Sequence, residues 1–182
     1  MYLEFYGLTE SPFSLTSNPR FLYNSRAFAA AWTAVVRTIE QRQGVVVITG
    51  ASGAGKSMLC RALVEKLGAG TYLSAIANPR MAAGEFRSQV LADFEVADLS
   101  EVPAGAHAIL LIDEAQHLSL ALVEQLRLLI DMDGDAGKRI QILLVGPPEL
   151  DSRLHQPLLR ALRQRVAELE RRLIELEEKL KE

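Results

Sequence analysis

Apolar residues gather in four short runs along the chain: Val45 to Thr49, Thr71 to Ile76, Ala108 to Asp113 and Ile140 to Gly146. Each run is apolar on both of its alternating faces, as expected of a strand covered on two sides. Between them, Lys56 to Leu67, Met81 to Phe94 and Leu118 to Met132 read as helices. Strands alternating with helices in this way predict a parallel sheet between two helical layers. The third strand is expected beside the fourth, and the first beside the fourth as well. Before the first strand, Ser25 to Gln41 places Phe28, Trp32, Val35, Val36 and Ile39 at helical spacing. This reads as a further helix, with its aromatic pair in the core. The opening segment, to about Asn24, carries Pro12, Pro19 and six aromatic side chains. Its weak periodicity predicts an extended or turn-rich arm.

Composition narrows the class. A chain of 182 residues suits one domain with a sizeable core. The net charge of −3 gives no overall pull toward nucleic acid or an anionic membrane, so DNA is a disfavoured partner. One cysteine, Cys60, rules out an internal disulfide and fits a reducing compartment. It falls just after Ser57, in what should be a helix packed on the sheet, and reads as a small buried core residue ahead of a reactive thiol. The longest apolar runs are of strand length, too short for a membrane span, and the start lacks a signal peptide's basic head. A cytoplasmic location is the expectation.

The chemistry concentrates after the first strand. Gly50-Ala-Ser-Gly-Ala-Gly55-Lys56-Ser57 fits G-x-x-x-x-G-K-[ST], between a strand and a helix as that motif requires. Glycines let successive backbone N–H groups turn inward on an anion, and the helix start adds its positive end. Gly50, Ser52, Gly53, Ala54, Gly55, Lys56, Ser57 and Met58 are therefore expected to surround the phosphates of a nucleoside triphosphate. Lys56 is expected to reach the β- and γ-phosphates, and the Ser57 hydroxyl to bind Mg²⁺. The third strand ends in Asp113 and Glu114, at the edge of a parallel sheet where ligands collect. Asp113 suits a second contact to Mg²⁺, and Glu114 suits deprotonation of an attacking water. The other reading of Glu114 is a charge satisfying the dipole of the helix that follows. Gln116 and His117 read as loop or helix-start residues. His107, His117 and His155 each lack a second ligand at metal spacing.

From Arg163 to Glu182, twelve of twenty side chains are charged, six of each sign. Val166, Leu169, Leu173, Leu176 and Leu180 form a seam with a/d heptad spacing. A self-associating coiled coil and a solvated amphipathic helix lying on its own domain both remain open.

The stretches GASGAGKS, LLIDEAQHLS and ILLVGPPELDSRL, with the opening FYGLTESPFSLTSNPRFLY, resemble AAA+ ATPases of the general secretion pathway protein A type. Those include the ExeA-like and MSHA pilus biogenesis relatives. The resemblance spans about residues 1 to 166. It implies a three-layer α/β P-loop NTPase with Walker A residues Lys56 and Ser57 and Walker B residues Asp113 and Glu114. It further implies ATP and Mg as ligands, a homo-oligomer, and a bacterial secretion or pilus-assembly partner. Arg160, Arg163 and Arg165 lie where the family carries an arginine finger, with Arg163 the first choice and Arg165 next. Two departures stand out. Pro147 follows the fourth strand where relatives place a polar sensor residue, and proline offers no side-chain hydrogen bond. The family would also continue into a fifth strand and a helical lid, which a regular Glu/Arg/Leu helix replaces here. The expected organisation is an ATPase core at 1–162 and an added heptad helix at 163–182. The functional expectation is Mg-ATP hydrolysis that drives assembly or conformational switching. The alternatives are a nucleotide-binding assembly module with little turnover, a transposition-type helper that binds DNA, and a small-molecule kinase.

Overall fold

In the computed structural model, the described residues are 2–7, 23–42, 44–67, 70–103, 105–131 and 140–155. The order is α1 (Tyr2–Phe5), α2 (Arg26–Glu40), β1 (Val45–Thr49), α3 (Lys56–Leu67), β2 (Thr71–Ile76), α4 (Ala83–Asp93), β3 (His107–Ile112), α5 (Leu120–Asp131), β4 (Ile140–Gly146) and α6 (Glu149–Leu154). The four strands form one parallel sheet in the order β1-β4-β3-β2. Both expected neighbour relations of β4 are therefore met.

The two-residue period of each strand divides the core. Val45, Ile76, Ala108, Leu110, Ile112, Ile142 and Leu144 face one way, against Phe86 and Val90 of α4 and Leu122 and Leu126 of α5. Val46, Ile109, Leu111, Leu143 and Val145 face the other way, against Val35 and Ile39 of α2 and Leu59, Cys60 and Leu63 of α3. Each fully buried Leu or Ile in these layers contributes roughly 1.5–3 kcal/mol relative to exposure. The sequence thus places helices on both faces because neither face has a polar register.

Local signals set the ends. Ser25 caps α2, its side chain accepting from the Phe28 amide at 3.1 Å. Phe28 and Trp32 stack at 6.4 Å between centroids, and Lys66 of α3 lies 5.6 Å from the Trp32 ring. That pair packs half-buried against the second core layer, as its spacing predicts. Several boundaries differ from expectation: α4 begins at Ala83 and not at Met81, and two further shifts fall at the end of β3 and just beyond it. β3 stops at Ile112, one residue before Asp113, whose amide still donates to the Ile76 carbonyl at 2.8 Å. The stretch expected to be helical from Leu118 begins at Leu120, with a separate 3-10 turn at Ala115–His117. The Ser119 hydroxyl accepts from the Leu122 amide at 3.3 Å, an N-cap contact that starts α5 at the next residue. The arm from 8 to 22 and the heptad segment from 163 onward lie outside the described residues.

Candidate functional site

The carboxyl ends of β1, β3 and β4 meet at one edge of the sheet, and the loop after β1 curls over it. Gly53 and Gly55 take φ of +78° and +88°, a region that favours residues without a Cβ. Those two turns let the loop double back before α3 begins at Lys56. Ser52 and Ala54 are exposed on the loop, and Met58 is half-buried on α3. The Gly50 amide donates to the Gly146 carbonyl at 3.3 Å, tying the loop's start to the end of β4.

Lys56 folds back over this loop, its Nζ donating to the carbonyls of Gly50 at 2.8 Å and Ala51 at 2.9 Å. A phosphate oxygen carries more charge than a carbonyl, so these bonds would yield to it. Beside it, the Ser57 hydroxyl donates to Asp113 Oδ2 at 2.7 Å. Asp113 is buried, and its Oδ1 accepts from the Glu114 amide at 2.9 Å. The donor set of a hydroxyl and a carboxylate suits a hard cation such as Mg²⁺, with the remaining ligands coming from water and phosphate. Among the described residues, no group of three or more His, Cys, Asp or Glu could hold a metal. The chain's own donors fit an ion that arrives with a nucleotide better than a permanent metal cage.

Glu114 is exposed, with a left-handed backbone at φ 52° and ψ 36°. Such a conformation costs a non-glycine residue on the order of 1 kcal/mol. Glu114 precedes the 3-10 turn and not α5, so the expected role as a charge at the start of the following long helix is not what the structure presents. Its Oε2 accepts from Gln116 Nε2 at 2.6 Å. The Gln116 Oε1 is buried and, among the described residues, has no hydrogen-bond partner. Leaving such an acceptor unsatisfied costs roughly 1–3 kcal/mol. Gly146 makes room for it: a Cβ there would sit 2.8 Å from Gln116 Oε1 and 3.0 Å from Leu150 Cδ2. Arg153 of α6 secures the same turn, donating from Nη1 to the Gln116 carbonyl and from Nη2 to the Leu118 carbonyl at 3.1 Å. Gln116, Gly146 and Arg153 escaped sequence reasoning as site residues. The available signal was an amide two positions after Glu114 and a Gly-Pro step at the end of β4.

A groove of about 640 Å³ runs beside this cluster, lined by Ser57, Arg61 and Glu65 of α3 and by Asp113 and Glu114. Cys60 lies at its floor as a free, buried thiol. Burial first, and the nearby Asp113 charge second, push its pKa up to about 12, which marks an unreactive core residue. The histidines are engaged elsewhere: His107 with Gln141 Oε1 at 2.9 Å, His117 with Arg80, and His155 with the Asp151 carbonyl at 2.7 Å. Lys56, Ser57, Asp113 and Glu114 are thus brought together. Arg160, Arg163 and Arg165 lie outside the described residues.

This arrangement has counterparts. The AAA domain family profile matches residues 38–154, which contain the whole cluster. The chain is 35% identical to the general secretion pathway protein A of Aeromonas hydrophila, over 91% of its own length. It spans 34% of that protein's length. The crystal structure of Cdc6p from Pyrobaculum aerophilum superposes with a TM-score of 0.54 at 13% identity, covering 82% of this chain and 45% of that one. At that identity the likeness concerns the fold alone, a parallel sheet with helices on both sides. Among the described residues, no helix is long and apolar enough to cross a membrane. With a family match across β1 to α6 and a close relative over nearly all its length, the chain belongs to the AAA domain family.

Proposed function

We propose that the protein binds Mg-ATP in the loop from Gly50 to Ser57 and hydrolyses it, with Glu114 as the base. The observation that carries this reading is the meeting of two distant segments. Ser57 bonds Asp113 directly, and Glu114, the next residue, lines the same groove as Ser57. Lys56 would exchange its carbonyl partners for the β- and γ-phosphates. Ser57 and Asp113 would hold Mg²⁺, which neutralises phosphate charge when bound. Glu114 would take a proton from water as that water's oxygen bonds the γ-phosphorus, and the bond to the leaving ADP oxygen breaks. An arginine from 160–165 of a neighbouring copy, Arg163 first, would stabilise the charge on the transferred group. Turnover would then require a homo-oligomer, to which the heptad segment could contribute.

The named relative, a general secretion pathway protein, supports a place in secretion machinery; a pilus-type machinery, and nucleotide state controlling assembly or conformation, are part of the same proposal. The work is proposed to be done on the cytoplasmic side. The competing reading as a DNA-loaded helper has only the shared fold behind it, and a net charge of −3 weighs against it. The test is calorimetric titration of ATP with and without Mg²⁺, paired with phosphate release. Tight Mg-dependent binding with turnover abolished in Glu114→Gln is expected. Binding without turnover at any protein concentration would leave a nucleotide-dependent assembly module in place of an ATPase.

A further inference from the structure

The turn after β3 contains an amide that the catalytic reading does not use. Gln116 Nε2 donates to Glu114 Oε2 at 2.6 Å, within the same turn. The orientation is dictated by charge: with the amide reversed, its oxygen would face an ionised carboxylate. The consequence is that Gln116 Oε1 points the other way, buried against Gly146 with no partner among the described residues. A side chain that keeps one bond while orphaning its other polar atom is held there by its surroundings. Two features do so. Arg153 clamps the carbonyls of Gln116 and Leu118, which fixes the backbone that carries the amide. Gly146, lacking a Cβ, leaves the space its oxygen fills.

The location matters as much as the contact. Gly146 ends β4, and its carbonyl accepts from Gly50 at the start of the phosphate loop. The next residue is Pro147, whose side chain has no polar atom to present at this edge. Gln116 therefore brings a polar amide to the junction of β3, β4 and the phosphate loop, from the turn after β3. The geometry points to Gln116 as the positioning residue that sets the Glu114 carboxylate, with Arg153 and Gly146 holding Gln116 in place. This rests on the reading of Glu114 as the hydrolytic base. Glu114 has an exposed side chain and a left-handed backbone, so without that amide its carboxylate would sample many orientations. A base displaced by an ångström loses up to about 100-fold in rate.

The experiment pairs kinetics with nuclear magnetic resonance on the whole chain. Gln116→Met keeps the length and volume of the side chain while removing its amide, and Gln116→Ala removes both. Both are expected to lower kcat about 10- to 100-fold with ATP affinity close to wild type and no fall in melting temperature, since the unsatisfied oxygen is removed with the amide. In nucleotide-free protein, the Gln116 side-chain N–H pair is identified by its loss in Gln116→Met, and it should shift in Glu114→Ala. Wild-type kcat in both Gln116 variants, while Glu114→Gln is inactive, would overturn the inference and leave the hydrolysis reading intact. Equal losses of ATP affinity and melting temperature with rate would also overturn it, because those mark a structural role. A wild type with no turnover would defeat the hydrolysis reading, and the amide resonance then decides alone. Its dependence on Glu114 supports the positioning contact, and its indifference removes it.

Discussion

The Ser57 hydroxyl donates to Asp113 Oδ2 at 2.7 Å, joining the phosphate loop to the end of β3 across 56 positions of sequence. A cation entering here would take oxygens from both residues, and the hydrogen bond shows that the two are already close enough. Asp113→Ala should therefore abolish the gain in ATP affinity that Mg²⁺ gives, an effect of about tenfold or more. Titration of each protein with ATP, with and without Mg²⁺, reads this directly. A variant that keeps the full Mg²⁺ gain would remove Asp113 from the site.

Lys56 Nζ donates to two loop carbonyls, those of Gly50 and Ala51. Lys56→Met should weaken ATP binding at least tenfold, about 1.4 kcal/mol or more. Equilibrium binding of a fluorescent ATP analogue measures it. Unchanged affinity would mean that the lysine serves only the loop.

Gly146 needs its small size and not an unusual backbone, since the neighbours of a Cβ would be Gln116 Oε1 and Leu150. Gly146→Ala should destabilise the fold by about 1–3 kcal/mol, the usual cost of overpacking. Urea denaturation gives the value, and a stability equal to wild type would show that the turn after β3 yields without cost.

Cys60 links burial to alkaline stability. Its folded-state pKa is raised from 9.0 to about 12, so folded protein keeps a proton that unfolded protein gives up. The stabilisation is complete below pH 9 and is lost as pH rises toward 12. Between pH 8 and pH 10, wild type should lose about 1 kcal/mol more stability than Cys60→Ala. Parallel pH dependences in the two proteins would contradict the buried thiol.

Much of the site was legible because its chemistry is local in sequence. The run from Gly50 to Ser57 needs its glycines and its lysine at fixed offsets, and Asp113-Glu114 ends an apolar strand. The strands were legible for a related reason: apart from His107 and Gln141, β3 and β4 are apolar on both faces, so their burial did not depend on which neighbour they paired with. What stayed hidden depends on tertiary contact. Gln116 reads as a loop residue until β4 places Gly146 against it, and nothing in Asp151-Ser-Arg153 says that the arginine reaches back to the turn after β3. The helix start at Leu120 was missed because the apolar pattern runs on through Leu118 and Leu120, while the Ser119 hydroxyl caps the Leu122 amide and begins the helix after it.

Steady-state phosphate release per subunit, measured with Mg-ATP over a wide range of protein concentration, tests the central claim most directly. Turnover should rise with concentration, as copies complete one another's sites, and should vanish in Glu114→Gln. Turnover that persists in Glu114→Gln, or that is absent at every concentration while ATP still binds, would contradict hydrolysis by Glu114.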